Sequence, residues 1–246
     1  MKTICKYYGG SILYGTNTPE SDFDERGVFL HTDPAYILGT FRGNEIRKQN
    51  ENEDIIYREF ANYVHLLKKG NIDCYEPLFA PDDCLISMSE EFKRFRQTPK
   101  KFIDSERFFH CMLGYAQGEF RLANGQRRGQ LGSKRKEALD KYGFSPKNFS
   151  NLFRILYTGI HFFENDKYFV KCRDFGDEVF NFIFDIKINP LNFNLEDLTK
   201  RYLETENILK TAFENRKENY TFDEELVNKL MLEFYYPFLK NALHNK

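Results

Sequence analysis

Apolar and polar residues alternate in three short runs near the N-terminus, ICKYY (residues 4–8), FDERGVFL (23–30) and DIIYREF (54–60). Each is bounded by segments rich in Gly, Asn, Pro and Thr, the pattern of β-strands separated by turns. From Arg58 the period lengthens: in REFANYVHLLKKG, Phe60, Val64 and Leu67 share one face of a helix and Gly70 is a stop signal. Ser87-Met-Ser-Glu90 has the spacing of a capping box for the next helix, and Asp104 is placed to cap a longer one reaching about Ala123. The clearest helical stripe is Phe149, Leu152, Leu156, Ile160 and Phe163, with Ser145 at the N-cap and Pro146 at the first helical position. Asn194 and Asp223 start the last two predicted helices, and Pro237 is expected to bend or break the final one. The fold class is therefore α+β: a small mixed-sheet core over residues 1–85, then a mainly helical domain over 86–246, with the boundary near Pro81-Asp82-Asp83.

A chain of 246 residues is long enough for one large domain or two smaller ones with a real core. It has no apolar run long enough to cross a bilayer, and MKTICKYYGGS lacks the form of a secretory signal. A cytoplasmic protein without membrane association is expected. Cys5, Cys74, Cys84, Cys111 and Cys172 are odd in number, far apart and without C-x-x-C spacing, which suits reduced, mostly buried thiols. The five histidines are equally dispersed, which argues against a zinc site. A net charge of −1 argues against wholesale nucleic-acid binding and directs attention to any local basic patch.

Chemistry concentrates in GGSILYGTNTPESDFDERGV, residues 9–28. Asp22 and Asp24 lie two apart in a predicted strand, so both carboxylates leave the same face. Two clustered carboxylates call for a hard cation, and Mg2+ fits best because it also accepts water and substrate phosphates. Upstream, Gly10 lets a phosphate approach the backbone, and Ser11 offers a hydroxyl and an N–H. A Gly-Ser alone is ordinarily a turn and a D-x-D alone is solvated charge. Here Gly-Ser closes one β-like run and D-x-D opens the next after ten residues, and that order points to phosphoryl or nucleotidyl transfer. A second feature is RLANGQRRGQLGSKRK, residues 121–136, with Arg121, Arg127, Arg128, Lys134, Arg135, Lys136 and no acid. It reads either as a solvated loop or as a grip on phosphates. Lys147, Asn151, Arg154, Thr158 and His161 form a polar stripe opposite the apolar one on the following helix.

The Gly-Ser and Asp-x-Asp pattern resembles the nucleotidyltransferase superfamily of DNA polymerase beta. Within it, Gly10, Ser11, Tyr14-Gly15-Thr16, Ser21-Asp22, Asp24 and Gly27 resemble the RlaP-like predicted nucleotidyltransferases, associated with RNA repair. KKGNIDCYEPLFAPDDC and KRKEALDKYGFSPKNFSNLFRIL extend the likeness from about residue 6 to about residue 170. The chain departs from the pattern in starting almost at the first core strand and in having Asn151 where many relatives carry His. The resemblance implies a nucleotidyltransferase core that uses an NTP and two Mg2+ ions, with Mn2+ as a substitute. It also implies a third carboxylate on a neighbouring strand, for which Glu53, Asp54 and Glu59 are candidates and Asp54, at the entrance to an apolar strand, is favoured. Lys147 and Arg154, then Lys134 and Arg135, become triphosphate ligands. The acceptor implied is an RNA or DNA end held through residues 121–136. A small molecule or protein acceptor, or a degenerate module that binds nucleotide without turnover, are the alternatives.

Overall fold

The computed structural model describes residues 1–50, 53–126 and 133–244, apart from the side chain of Lys134. Two compact units emerge, residues 1–105 with 220–246, and residues 106–219. This partition differs from a division at 85/86. Phe92, Phe95 and Phe102, which follow residue 85, are fully buried, and Phe95 stacks on Phe102 at 4.1 Å while meeting Phe60 edge-on at 5.2 Å.

The first unit is built on a five-stranded mixed sheet in the order β3-β4-β2-β1-β5, with β1 Lys2–Tyr8, β2 Phe23–Leu30, β3 Glu45–Gln49, β4 Glu53–Glu59 and β5 Leu85–Met88. β1, β2 and β4 are the three runs of alternating residues; Cys5, Tyr7, Val28, Leu30 and Ile56 are buried on one face of the sheet, and Ile4 and Phe29 on the other. β3 and β5 are edge strands. β2 and β4 run parallel while every other pairing is antiparallel, and the stretch between them supplies the crossover that a parallel pair needs. Helices α1 Gly10–Tyr14, α2 Pro34–Ile37, α3 Phe60–Lys68, α4 Ile72–Phe79 and α5 Glu90–Arg96 complete the first 105 residues. Ser89 caps α5 by accepting from Phe92 N at 3.4 Å. Ser87, expected in that role, lies in β5 and pairs with Lys6 of β1 instead.

The second unit is helical, comprising α6 Ser105–Ala123, most of which lies within it, α7 Ser133–Tyr142, α8 Pro146–Asn165, α9 Asp177–Ile188 and α10 Leu195–Glu214. α8 contacts α9 and α10 and buries Phe149, Leu152, Leu156, Ile160 and Phe163. Its other side is covered in part: Arg154 and Thr158 are 6% and 2% exposed, whereas Lys147 is exposed and Asn151 and His161 are half-buried. Ser145 stands at the N-cap of α8 without bonding the helix N–H groups, because its Oγ donates to Asn148 Oδ1 at 2.6 Å. Asn194 caps α10 by accepting from Asp197 N at 2.9 Å.

The last helix, α11 Glu224–His244, returns to the first unit and runs through Pro237 without a break. Proline removes one helical hydrogen bond, but Phe234 and Tyr235 just before it are buried and both meet the Phe60 ring, so packing outweighs that local cost. Among the described residues no helix is long and apolar enough to cross a membrane. All five cysteines are free, with Cys111 half-buried and the others buried; burial pushes the thiols of Cys5, Cys74 and Cys172 up to about 12.

Candidate active site

β1 runs into Gly9 and Gly10, where the chain turns into α1. Gly9 N donates to Asp24 O at 2.8 Å, fixing the end of β1 against the start of β2. Gly10 has φ +55°, and a Cβ there would fall 2.0 Å from Asp24 Oδ2. Only glycine permits both the conformation and the approach. At Gly9 a Cβ would fall 2.7 Å from Arg26 Cγ. The two glycines thus bring backbone directly against the side chains of Asp24 and Arg26. Ser11 follows, half-buried, and its carbonyl accepts from Thr16 N at 2.9 Å as α1 closes at Gly15. Tyr14 anchors this short helix by donating its hydroxyl to the buried Glu76.

The parallel register of β2 and β4 sets Asp24 opposite Asp54. Residues so paired point to the same face, and Arg26, two positions beyond Asp24, shares it. The Arg26 Nη2 donates to Asp24 Oδ1 at 3.0 Å and to Asp54 Oδ2 at 2.8 Å. Its Nη1 donates to the carbonyl oxygens of Glu25, at 3.1 Å, and of Asp54. The three side chains are 18–25% exposed. The remaining carboxylate oxygen, Asp54 Oδ1, is buried and has no hydrogen-bond partner.

Pleating turns Glu53 to the opposite face from Asp54, where its carboxylate accepts from Asn50 Nδ2 at 2.9 Å. Glu59 is buried and caps α3, accepting from Ala61 N at 2.8 Å, Asn62 N at 3.2 Å and the Tyr235 hydroxyl. Asp22 lies one residue before β2, half-buried, rather than inside the strand as expected. It follows a turn closed by Ser21 N donating to Thr18 O at 3.0 Å and Thr18 N donating to Ser21 Oγ at 2.9 Å. Among the described residues no group of three or more His, Cys, Asp or Glu is arranged to hold a metal ion. Arg26 and Gly9 are the participants that motif reading passes over, although strand alternation through positions 22, 24 and 26 already puts Arg26 beside the acids.

The basic candidates belong to the second unit. Arg135 Nε donates to Asn148 Oδ1 at 3.2 Å, and Asn148 Nδ2 donates to Glu119 Oε2 at 2.7 Å. Lys147 is exposed. Arg154 donates through Nε and Nη2 to Asn151 Oδ1, at 3.0 and 2.8 Å, and its positive charge opposes the upward push of burial on the Cys172 thiol. Arg127, Arg128 and the side chain of Lys134 lie outside the described residues.

Residues 1–145 match the family profile RlaP, described as "RNA repair pathway DNA polymerase beta family". The matched segment contains Gly10, Ser11, Asp22, Asp24, Asp54, Lys134 and Arg135, and it stops short of Lys147, Arg154 and the residue-170 limit of the sequence likeness. The chain is also similar to an "Uncharacterized 38.9 kDa protein in nrdC-mobD intergenic region" of Enterobacteria phage T4, at 40% identity over 50 residues. That stretch is 20% of this chain and 15% of the phage protein.

Proposed function

Because the chain belongs to the RlaP family, the RNA repair pathway DNA polymerase beta family, we infer that it is a nucleotidyltransferase that moves a nucleoside monophosphate from an NTP to a hydroxyl at an RNA end. One observation carries this reading. Asp24 and Asp54 face each other in register, with the Gly9-Gly10 backbone packed directly against the side chains of Asp24 and Arg26, inside the segment that matches the family.

The donor set suits a divalent cation. Mg2+ needs only one or two carboxylates when water and substrate phosphates complete its shell, and Asp54 Oδ1 is a buried carboxylate oxygen that nothing satisfies. Asp24 and Asp54 would hold one ion, and Asp22 with Asp24 would share the second with the triphosphate. Mg2+ or Mn2+, when bound, supplies charge stabilisation at the phosphoryl oxygens and makes the attacking hydroxyl more acidic.

In the transfer, the acceptor hydroxyl gives up its proton to solvent and its oxygen bonds to the α-phosphorus, the bond from that phosphorus to the bridging oxygen breaks, and pyrophosphate leaves. The Ser11 hydroxyl is assigned to the triphosphate, and Gly10 lets the Asp24 carboxylate lie directly against the neighbouring backbone. Arg135, whose hydrogen bond to Asn148 is to a neutral amide oxygen, is assigned with Lys134, Lys147 and Arg154 to substrate phosphates. Incubating the protein with each labelled NTP and with RNA, DNA and protein acceptors tests the reading. Label in RNA is the expected result. Label only in protein or small molecules overturns the acceptor, and no label in any acceptor overturns the transferase.

A further inference from the structure

Two carboxylates facing each other on adjacent parallel strands repel unless a cation sits with them. In this protein the chain itself provides one. The Arg26 Nη2 contacts one oxygen of each acid, while Nη1 is fastened to backbone carbonyls of both β2 and β4. Gly9 leaves the room that the arginine stem occupies, since any Cβ would sit 2.7 Å from Arg26 Cγ. The guanidinium is therefore held from behind by backbone and in front by the acid pair, unlike a mobile surface ion pair.

We propose that Arg26 is a positioning residue that serves as the internal counter-cation of the Asp24–Asp54 pair. It holds the two carboxylates together in the free protein and keeps their affinity for a divalent cation low, so that the cation binds well only together with substrate phosphates. This rests on the reading of the pair as a metal site. The electrostatics are direct: the guanidinium lies within 3.0 Å of one oxygen of each acid, and its field opposes a second cation at the same carboxylates. One guanidinium cancels one carboxylate charge of the pair, so the pair attracts a free divalent ion less strongly than it would without Arg26. An arriving triphosphate adds anionic oxygens that tip the balance and offer the guanidinium new acceptors.

The test is a Mn2+ titration of the full chain without NTP, followed by the electron paramagnetic resonance of free Mn2+, in wild type, Arg26→Gln, Arg26→Lys, Asp24→Asn and Asp54→Asn. Arg26→Gln is expected to bind Mn2+ at least about tenfold more tightly than wild type. Arg26→Lys keeps the charge and stays near wild type, and both Asp variants lose binding. Melting curves in EDTA and in Mn2+ run alongside: Arg26→Gln melts lower without metal and gains more from Mn2+ than wild type does. A merely structural arginine would lower the melting temperature and leave Mn2+ affinity unchanged or weaker, and that result overturns the proposal. Asp variants that bind Mn2+ like wild type would instead overturn the metal-site reading itself. Should Arg26→Gln fold only when Mn2+ is present, the proposal is supported; should Arg26→Gln and Arg26→Met both fail to fold with or without Mn2+, it is refuted.

Discussion

Replacing Gly10 by alanine is the smallest change that reaches the carboxylate pair. At φ +55° an alanine costs roughly 1–2 kcal/mol of backbone strain. Its methyl carbon would start 2.0 Å from Asp24 Oδ2, and since real Cβ atoms essentially never come within 3.0 Å of a neighbour, the carboxylate must retreat by about 1 Å. That movement breaks its contact with Arg26, a partly exposed ion pair worth about 0–1 kcal/mol, for a total of roughly 1–3 kcal/mol. A misplacement of this size at a reacting centre costs about a hundredfold in rate. Gly15 provides the control. It has φ +67° with nothing within 4 Å of its would-be Cβ, so Gly15→Ala carries the strain without the collision. Chemical denaturation should show a similar destabilisation in both variants, whereas labelled-NMP transfer should collapse only in Gly10→Ala. Equal transfer by the two variants would refute the argument that Gly10 exists to admit Asp24.

Ser11→Ala should weaken NTP binding by roughly 1–3 kcal/mol in a fluorescence titration, the scale of a lost hydrogen bond to a charged group; an unchanged curve would make Gly-Ser only a turn. Glu59→Ala removes the cap of α3 and a partner of the Tyr235 hydroxyl, and should cost about 2–4 kcal/mol in urea denaturation while leaving Mn2+ affinity intact. Burial lowers the His161 pKa below the ordinary 6.5, against a smaller upward pull from Glu164. The unfolded state therefore binds the proton more readily, and stability should fall as pH drops below about 6.5. Comparing melting temperatures at pH 5 and 7 in wild type and His161→Phe checks this, and the variant should lose less on acidification.

Much of the sheet was readable because burial imposes alternation: β1, β2 and β4 each carry apolar residues on the face that becomes core. The edge strands carry no such mark. All five residues of β3 are exposed, and its existence depends on pairing with β4. β5 is four residues long, and its Ser87 mimics a helix cap in the sequence. The return of α11 to the first unit depends on Phe234 and Tyr235 finding Phe60, a contact between residues too far apart in the chain for local patterns to specify.

At the candidate site, the Gly-Ser and the two aspartates are marked by order and spacing alone. Which acid faces Asp24 is not. Glu53 and Asp54 are adjacent, so a one-residue shift in register exchanges them, and the register is set by the β2–β4 pairing. Arg26 carries no mark in the sequence, since a basic residue two positions after an acid follows no motif. Its role follows only from two strands and a glycine turn converging on it.

Asp24 and Asp54 are proposed as the reacting centre. The most direct measurement is the transfer of labelled nucleoside monophosphate by wild type, Asp24→Asn and Asp54→Asn, with circular dichroism to confirm equal folding. Each substitution removes one charge while keeping the side chain's shape, so either should lower the transfer rate by about a hundredfold or more. Wild-type transfer by either folded variant would show that these carboxylates are not the reacting centre.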